Sequence, residues 1–242
     1  MNKMSKNKNQ TKASLIFWPI IYFLVVLGMC VSGTLLFHSF YYHSIYVQGP
    51  SMQPTLNDNY YFSYRRDFGL VDVSETTIRR LKRFDIVITY FPWVDYENDG
   101  EYQPGNPLKP NVDYKIKRLI ALPGETIQIK DDYSITLLTT DGRTLIYDND
   151  KDSEAETSNL RLPYNRKLSG GGSISQRVGT WTLTDNQYFL MGDNWDVSED
   201  CSKHYPVYRE NLVGRLVCIE GTCVVDSYGE IVDKQYTGFK PY

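Results

Sequence analysis

Histidine, cysteine and alanine are scarce in this sequence of 242 residues, and each scarcity excludes a kind of protein or site. The four cysteines include no C-x-x-C pair, so neither a disulfide-rich small domain nor a metal site is predicted. Histidine occurs only as His38, His43 and His204, and the first two adjoin an apolar segment. A Ser-His-Asp triad would therefore have to use His204, and the G-x-S-x-G elbow is absent. A serine enzyme in this chain needs another base, for which lysine is the alternative.

The charges are distributed unevenly along the chain. Residues 1–12 hold four lysines and no acidic residue, which gives this segment a charge of +4. The remaining 22 basic and 29 acidic residues leave the rest of the chain at −7. An acidic body argues against a general nucleic-acid-binding protein, so no nucleic acid is expected among the partners.

The only long apolar run covers residues 13–37, which excludes a protein with several membrane spans. As a helix, these residues would extend about 37 Å and cross a hydrocarbon core of about 30 Å. A cleaved signal peptide is the alternative, but it needs a shorter core and a small-x-small site, and the chain has only three alanines. Because lysines precede the run, we predict a cytoplasmic tail at 1–12, a transmembrane anchor at 13–37 and an extracellular domain at 38–242.

The body is predicted to be one mostly β domain. Short runs rich in Val, Ile, Tyr and Thr predict strands at 44–48, 60–64, 85–91, 115–121, 126–129, 186–191 and 213–219. A hairpin is predicted where 134–140 and 143–147 flank Asp141-Gly142, and a short helix at 74–82. Two insertions are predicted, at about 93–112 and 130–185, the second forming an inserted subdomain.

The three cysteines outside the apolar run have two interpretations. Cys218 and Cys223 would form a disulfide if a turn at Gly221 brought them together. Otherwise these two and Cys201 would be free, buried, small apolar residues.

Ser51 lies in a segment whose backbone is restricted. Residues 49–56 read GPSMQPTL, so a proline lies on each side of Ser51. A stiff backbone can aim one hydroxyl and its own N–H at a common point, as a nucleophile requires. The alternative interpretation is a rigid turn after a strand.

Four sequence blocks resemble, in order, those of type I signal peptidases, the Ser/Lys endopeptidases that release exported proteins from their signal peptides. They are GPSMQPTL at 49–56, RFDIV at 83–87, KRLIALPGE at 117–125 and GDNWDVS at 192–198. The single preceding anchor is similar to that of Gram-positive members. The resemblance implies a β-rich signal-peptidase-like catalytic domain behind a transmembrane helix, and a membrane-bound serine endopeptidase that cleaves signal peptides from exported precursors.

The resemblance also implies roles for individual residues. Ser51 would be the nucleophile and Lys117 the general base, although Lys115 shares a face of the predicted strand and the pattern alone leaves both open. Burial among apolar neighbours would lower the pKa of this lysine from about 10.4 and let it accept a proton. Ser198 would hydrogen-bond the lysine amine. The backbone N–H of Ser51 would bind the oxyanion. Some members add a hydroxyl two residues earlier as a second donor; that position here is Gly49, which has no hydroxyl, so another group would have to substitute for it.

Substrates of this family carry small side chains at the first and third residues before the cleaved bond. Met52, Leu56 and Ile116 are predicted to line shallow apolar pockets that reject larger ones. No metal or cofactor is implied. Because Ser51 follows the apolar run by 14 residues, the active site is expected near the outer membrane surface, with signal peptides and membrane lipid as partners. The oligomeric state stays open.

Several positions depart from the family pattern. Trp195 replaces an arginine, Val197 an asparagine and Phe84 a glycine. The usual S-R pair after the last block is replaced by C-S at 201–202. An aspartate–arginine pair that braces Ser198 in relatives is therefore either missing or rebuilt here.

Three other functions fit parts of the sequence. A sortase-like transpeptidase would need a T-L-x-T-C strand followed by an arginine, but no arginine follows Thr222-Cys223. A self-cleaving Ser/Lys repressor would carry a DNA-binding domain in place of the anchor. A non-catalytic, membrane-anchored assembly factor that binds secreted or pilus-type precursors is the main alternative.

Overall fold

The computed structural model of the protein describes residues 3–91, 114–148, 159–162 and 177–242. The chain divides into two compact units, Met1–Tyr42 and His43–Tyr242, which are described separately. The second unit is mostly β, as predicted. The predicted insertion at 93–112 lies outside the described residues.

The first unit is built on one long helix, α1, which spans Lys3–Tyr41. Its segment Phe17–Tyr41 is long and apolar enough to cross a membrane. Two hydroxyls within it are bonded to the helix itself, since Ser32 donates to the Gly28 carbonyl (2.8 Å) and Thr34 to the preceding turn (2.9 Å). Lipid offers no hydrogen bonds, so internal bonding of this kind is what a spanning helix requires. The predicted apolar N-terminal helix is confirmed.

The first sheet of the second unit contains eight strands in the order β1-β2-β12-β3-β4-β10-β11, with β13 also paired to β12. Its long central strand β12 pairs antiparallel with three others, namely β2, β3 and β13. The strands are β1 (Tyr42–Tyr46), β2 (Arg65–Asp72), β3 (Ile86–Tyr90), β4 (Tyr114–Ala121), β10 (Gln187–Met191), β11 (Val207–Tyr208), β12 (Leu212–Val225) and β13 (Ile231–Pro241). A short helix, α2 (Glu75–Arg79), follows β2 and begins where the Ser74 hydroxyl accepts the Thr77 N–H (3.2 Å).

The second sheet has five strands in the order β8-β7-β6-β5-β9. They are β5 (Thr126–Ile129), β6 (Ile135–Leu138), β7 (Thr144–Asp148), β8 (Asn159–Arg161) and β9 (Gly179–Thr182). The predicted hairpin at Asp141-Gly142 is confirmed by β6 and β7, and Gly142 takes the positive φ of 81° that such a turn needs. The segment interpreted as an inserted subdomain at 130–185 supplies β6 to β9, and β5 joins them from just before it.

Two apolar clusters form the core of the second unit. The larger combines side chains of β3, β4 and β10 with side chains of the second sheet. The smaller combines β2, β3 and β12 with Met52 and Leu56 of the segment that carries Ser51. Burying each large apolar side chain contributes about 1.5–3 kcal/mol. These contacts therefore fix the Ser51 segment to the sheet.

Two predictions of local structure are wrong. Residues 60–64 form a turn rather than a strand, because the side chains of Tyr61, Phe62 and Tyr64 are exposed and the pairing with β12 begins only at Arg65. Their aromatic composition resembles that of a strand, but they bury no face.

The disulfide interpretation is also wrong, since all four cysteines are free. Cys218 and Cys223 lie on the same strand, β12, so about 17 Å of extended chain separates them. With Cys201 they are buried, which is the alternative that the sequence left open.

Candidate active site

Ser51 lies in a turn that follows β1 and is fixed by its own backbone. The Gln53 N–H donates to the Pro50 carbonyl (3.0 Å). Asn57 takes a left-handed backbone conformation (φ 53°), and its side-chain amide donates to the Gly49 carbonyl (3.1 Å). Ser51 itself is only half-buried. The turn thus holds the Ser51 hydroxyl in one place and leaves it reachable.

Lys117 lies on β4, between β3 and β10, and reaches the serine turn. Its Nζ lies 2.7 Å from the Ser51 Oγ, which is hydrogen-bonding distance. Lys117 is only 3% exposed. Burial is the main cause that lowers the pKa of Lys117 to about 8, from an ordinary value near 10.5. At pH 7 about a tenth of the molecules therefore carry a neutral amine beside the hydroxyl.

Residues 192–198 pack against the serine turn from a third direction. The Asn194 N–H donates to the Ser51 carbonyl (2.9 Å), and the Asn194 side chain donates to the Pro50 carbonyl (3.1 Å). Gly192 permits this approach, because a Cβ there would overlap the Ser198 hydroxyl and lie 2.5 Å from the Ser51 carbonyl oxygen. The segment therefore binds the backbone of Ser51, whereas the Ser51 hydroxyl faces Lys117.

A buried ion pair holds this segment from its far side. Arg177 and Asp200 are 2% and 0% exposed, and their side chains lie 3.0 Å apart. Arg177 also donates to the carbonyls of Trp195 (2.7 Å) and Ser198 (2.6 Å). The aspartate–arginine brace that the sequence left as missing or rebuilt is therefore rebuilt, with an arginine from before β9. Nothing in the local sequence around residue 177 indicated this partner.

Comparisons with known proteins show the family to which the chain belongs. The family model described as "Signal peptidase, peptidase S26" matches residues 18–219. The chain belongs to the signal peptidase family. It is 32% identical over 202 residues to signal peptidase I of Bacillus licheniformis, covering 81% of this chain and 83% of the relative. It is 30% identical over 172 residues to signal peptidase I V of Bacillus subtilis strain 168, covering 69% and 79%.

Among solved structures, a signal peptidase I from Enterococcus faecalis V583 matches with 24% identity and a TM-score of 0.31, covering 57% of this chain and 97% of that one. Family membership makes this chain a serine endopeptidase of the type I signal peptidase class, which confirms the resemblance found in the sequence.

One contact expected of this signal peptidase differs in the structure. Ser198 is fully buried, but its hydroxyl has no hydrogen-bond partner among the described residues, so the expected bond to the Lys117 amine is not formed. The Ser198 N–H donates instead to the Asn194 carbonyl (3.0 Å), and the side chain lies against Gly192.

The residues predicted to line the substrate pockets of the signal peptidase differ in exposure. Met52 and Leu56 have no exposed surface and belong to the smaller core cluster, whereas Ile116 is half-buried beside that cluster. Pocket lining stays a prediction for these residues. In this structure the first two support the serine turn from beneath.

A second buried ion pair of the signal peptidase joins β4 to the segment 192–198. Arg118 donates two hydrogen bonds to Asp193, at 2.8 and 2.6 Å. Asp193 also accepts from the hydroxyl of Thr55 (2.5 Å), which follows Ser51 in the same turn. Burial raises the pKa of the Asp193 carboxyl, and the contact with Arg118 opposes that rise. Asp193 therefore ties β4, the serine turn and its own segment together.

The substitution of glycine by Phe84 also has a structural explanation. Phe84 has a φ of 73°, a region that glycine adopts without strain. Its carbonyl accepts from Arg118 (2.9 Å), and its ring meets the Tyr147 ring edge-on at 5.4 Å. The aromatic contact offsets the unfavourable backbone conformation.

The structure also shows where the two alternative bases, Lys115 and His204, lie. Of the two lysines that share a face of β4, Lys117 makes the hydrogen bond with Ser51. His204 is exposed, and its ring nitrogen lies 3.1 Å from Glu199. No group of three or more metal-ligating side chains occurs within the described ranges.

Proposed function

We propose that this signal peptidase cleaves its substrates with Ser51 as nucleophile and Lys117 as general base. The observation that carries the proposal is the 2.7 Å contact between the Ser51 hydroxyl and an amine that burial keeps partly unprotonated at neutral pH. A lysine in water is protonated at pH 7 and cannot accept a proton. Its removal from water therefore supports the chemistry directly.

In the first half of the reaction, the neutral Lys117 amine takes the proton of the Ser51 hydroxyl, and the oxygen attacks the carbonyl carbon of the cleaved peptide bond. Lys117 then donates that proton to the leaving amine, which departs and leaves an acyl-enzyme on Ser51. In the second half, Lys117 takes a proton from water as the water attacks the acyl carbon. Ser51 leaves with that proton, and both groups return to their starting states.

The oxyanion of both tetrahedral intermediates would be stabilised by the backbone N–H of Ser51. Gly49 supplies no hydroxyl, and the space where its Cβ would lie is open, with no atom within 4 Å. Any second oxyanion donor at this position would therefore have to be a backbone group of Gly49. Loss of one donor typically lowers the rate by about 10²–10³-fold.

The substrates would be signal peptides of exported precursors, with α1 as the membrane anchor. The apolar segment Phe17–Tyr41 supports the anchor, and the four lysines before it support a cytoplasmic N-terminus. Signal peptides are themselves apolar segments, so an anchored enzyme meets them at the membrane. The catalytic body would then lie outside the cell, in contact with lipid and precursor.

The decisive experiment measures cleavage of a precursor by the purified full-length chain in detergent. We expect Ser51→Ala and Lys117→Met to abolish cleavage, because each removes one half of the pair. His204→Ala is the matched control and should keep most of the activity. Loss of activity in His204→Ala, or cleavage by Ser51→Ala, would refute the proposal, and precursor binding without any cleavage would favour the assembly-factor alternative.

The pH profile tests the role of Lys117 separately. Since the amine must be neutral, kcat/KM should rise with pH and reach half of its maximum near pH 8. A rate that falls as the pH rises through neutrality would contradict a lysine base.

A further inference from the structure

We propose that Arg177 is a positioning residue of this peptidase, which holds residues 192–202 in place beneath the serine turn. The inference rests on the proposed function of Ser51 and Lys117. Arg177 lies two residues before β9 and outside all four of the sequence blocks shared with the family. The segment that leads into the second sheet would thus contribute to the active site through this side chain.

The guanidinium of Arg177 is bound by four groups of one segment. It donates to the carbonyls of Trp195 (2.7 Å) and Ser198 (2.6 Å), to the carboxylate of Asp200 (3.0 Å) and to the hydroxyl of Ser202. A planar guanidinium offers donors in a fixed fork, so four partners in these positions fix the shape of the segment.

One route of contacts leads from Arg177 to Ser51 through a carboxylate. Asp200 binds Arg177 with one oxygen and accepts the backbone N–H of Gly192 (2.9 Å) with the other. Gly192 in turn lies directly against the Ser51 carbonyl, where a Cβ would be 2.5 Å from the oxygen. A shift of Asp200 would therefore displace Gly192 and, with it, the serine turn.

A second route runs through the backbone. Arg177 binds the Ser198 carbonyl, the Ser198 N–H donates to the Asn194 carbonyl (3.0 Å), and the Asn194 N–H donates to the Ser51 carbonyl (2.9 Å). Both routes end on the same atom of Ser51. Both routes therefore contact the backbone that orients Ser51, whereas the Ser51 hydroxyl contacts Lys117.

Stability alone gives little reason for this ion pair. Burying two charges is unfavourable, and replacing buried pairs by well-packed apolar side chains is often neutral or stabilising. Arg177 and Asp200 are nevertheless both almost wholly buried. A fixed geometry of the segment is the gain that accounts for them.

The pair also contributes to the electrostatics of Lys117. Burial is the main cause of its low pKa; Asp200 and Asp193 raise the pKa with their negative charges, whereas Lys115 and Arg177 lower it with their positive ones. Loss of the Arg177 charge should therefore raise the pKa of Lys117, so that its neutral form appears at higher pH. Loss of the Asp200 charge should lower that pKa.

The test compares kcat, KM and pH profiles of the full-length chain in detergent, using a fluorogenic peptide with alanine at the first and third residues before the cleaved bond. Arg177→Ala should lower kcat by about 10- to 100-fold with KM changed less than about threefold. Its half-maximal pH should rise, and that of Asp200→Asn should fall. Arg143→Ala is the control, since this arginine, in the turn between β6 and β7, is 71% exposed and pairs with Asp141 at the surface.

Two further variants keep the test valid if Arg177→Ala does not fold. Arg177→Lys retains the charge but not the fork, so kcat should fall while the half-maximal pH stays in place. Arg177→Ala combined with Ser202→Arg returns a guanidinium beside Asp200 and should restore both folding and at least a tenth of the rate. Wild-type kcat in Arg177→Lys, or a folded double variant without recovery, would overturn the inference.

Failure of this inference can be distinguished from failure of the proposed function. If Ser51→Ala or Lys117→Met still cleaves the peptide, the proposed function is wrong. If those two are inactive while a folded Arg177→Ala has full activity, or if Arg177→Ala and Asp200→Asn move the pH profile in the same direction, only the role of Arg177 is wrong.

Discussion

Replacing Lys117 by methionine should abolish activity and, at neutral pH, stabilise the fold. Lys117 is almost fully buried, and burial lowers its pKa from near 10.5 to about 8. Below pH 8 the amine is protonated in both the folded and the unfolded chain, so the folded state must hold a charge away from water. Methionine has a similar length and carries no charge, so it removes that unfavourable term.

The size of the effect follows from the pKa. Each tenfold change in proton affinity corresponds to about 1.4 kcal/mol, so the difference between 10.5 and about 8 destabilises the folded enzyme by about 3 kcal/mol at pH 7. Loss of the hydrogen bond to Ser51 offsets about 1 kcal/mol of the gain. We therefore expect a net stabilisation of about 2 kcal/mol, which raises Tm by about 4–8 °C in a domain of this size.

The dependence on pH is the sharper part of the prediction. As the pH rises from 8 towards 10.5, the folded enzyme releases the Lys117 proton while the unfolded chain keeps it, so the wild type gains stability. The stability advantage of Lys117→Met over wild type should therefore be largest below pH 8, shrink as the pH rises, and reverse by about 1 kcal/mol above pH 10.5, where only the lost hydrogen bond to Ser51 remains.

Thermal unfolding of both proteins between pH 6 and 10.5 measures this difference. Arg143→Met, which removes one exposed positive charge, is the control for net charge. A Lys117→Met variant that is less stable than wild type at pH 7, with a difference independent of pH, would refute the reasoning.

Two other predictions concern groups close to the site. Gly192→Ala should lower kcat/KM at least about 100-fold and destabilise the fold by about 1–3 kcal/mol, because the new methyl overlaps the Ser198 hydroxyl and meets the Ser51 carbonyl; enzyme assays and urea unfolding test this, and a wild-type rate would contradict it. Cys201 should stay unmodified by a thiol reagent in the folded enzyme and react after unfolding, since burial raises the pKa of its thiol; peptide mass analysis measures this, and rapid modification of the native protein would contradict it.

The strands beside the active site could be predicted from the sequence because their side chains alternate or form short apolar runs. The prediction of a strand at 115–121 agrees with β4 (Tyr114–Ala121), and that at 126–129 with β5. The contact between Ser51 and Lys117 agrees with the roles that the family resemblance implied, although 66 residues separate them in the chain.

Other features could not be predicted because they depend on tertiary contacts. Strand β13 is exposed along almost its whole length and carries Asp, Lys and Gln, so it has no apolar pattern and is defined by its pairing with β12. Arg177 lies 23 residues before Asp200, and the two are brought together by the tertiary fold. From the sequence, an aspartate–arginine brace of Ser198 was either missing or rebuilt, and neither Asp200 nor Arg177 could be identified as its members.

Strand β4 places its two neighbouring basic residues on opposite faces, with Lys117 towards Ser51 and Arg118 towards Asp193. A deletion or insertion of one residue within this strand would exchange the faces. The guanidinium of Arg118 would then lie beside Ser51, where it could not act as a base because it stays protonated. The amine of Lys117 would instead face Asp193, where the contact is structural. Point substitutions in β4 can have graded effects on activity, whereas the insertion or deletion of a single residue in this strand should abolish activity.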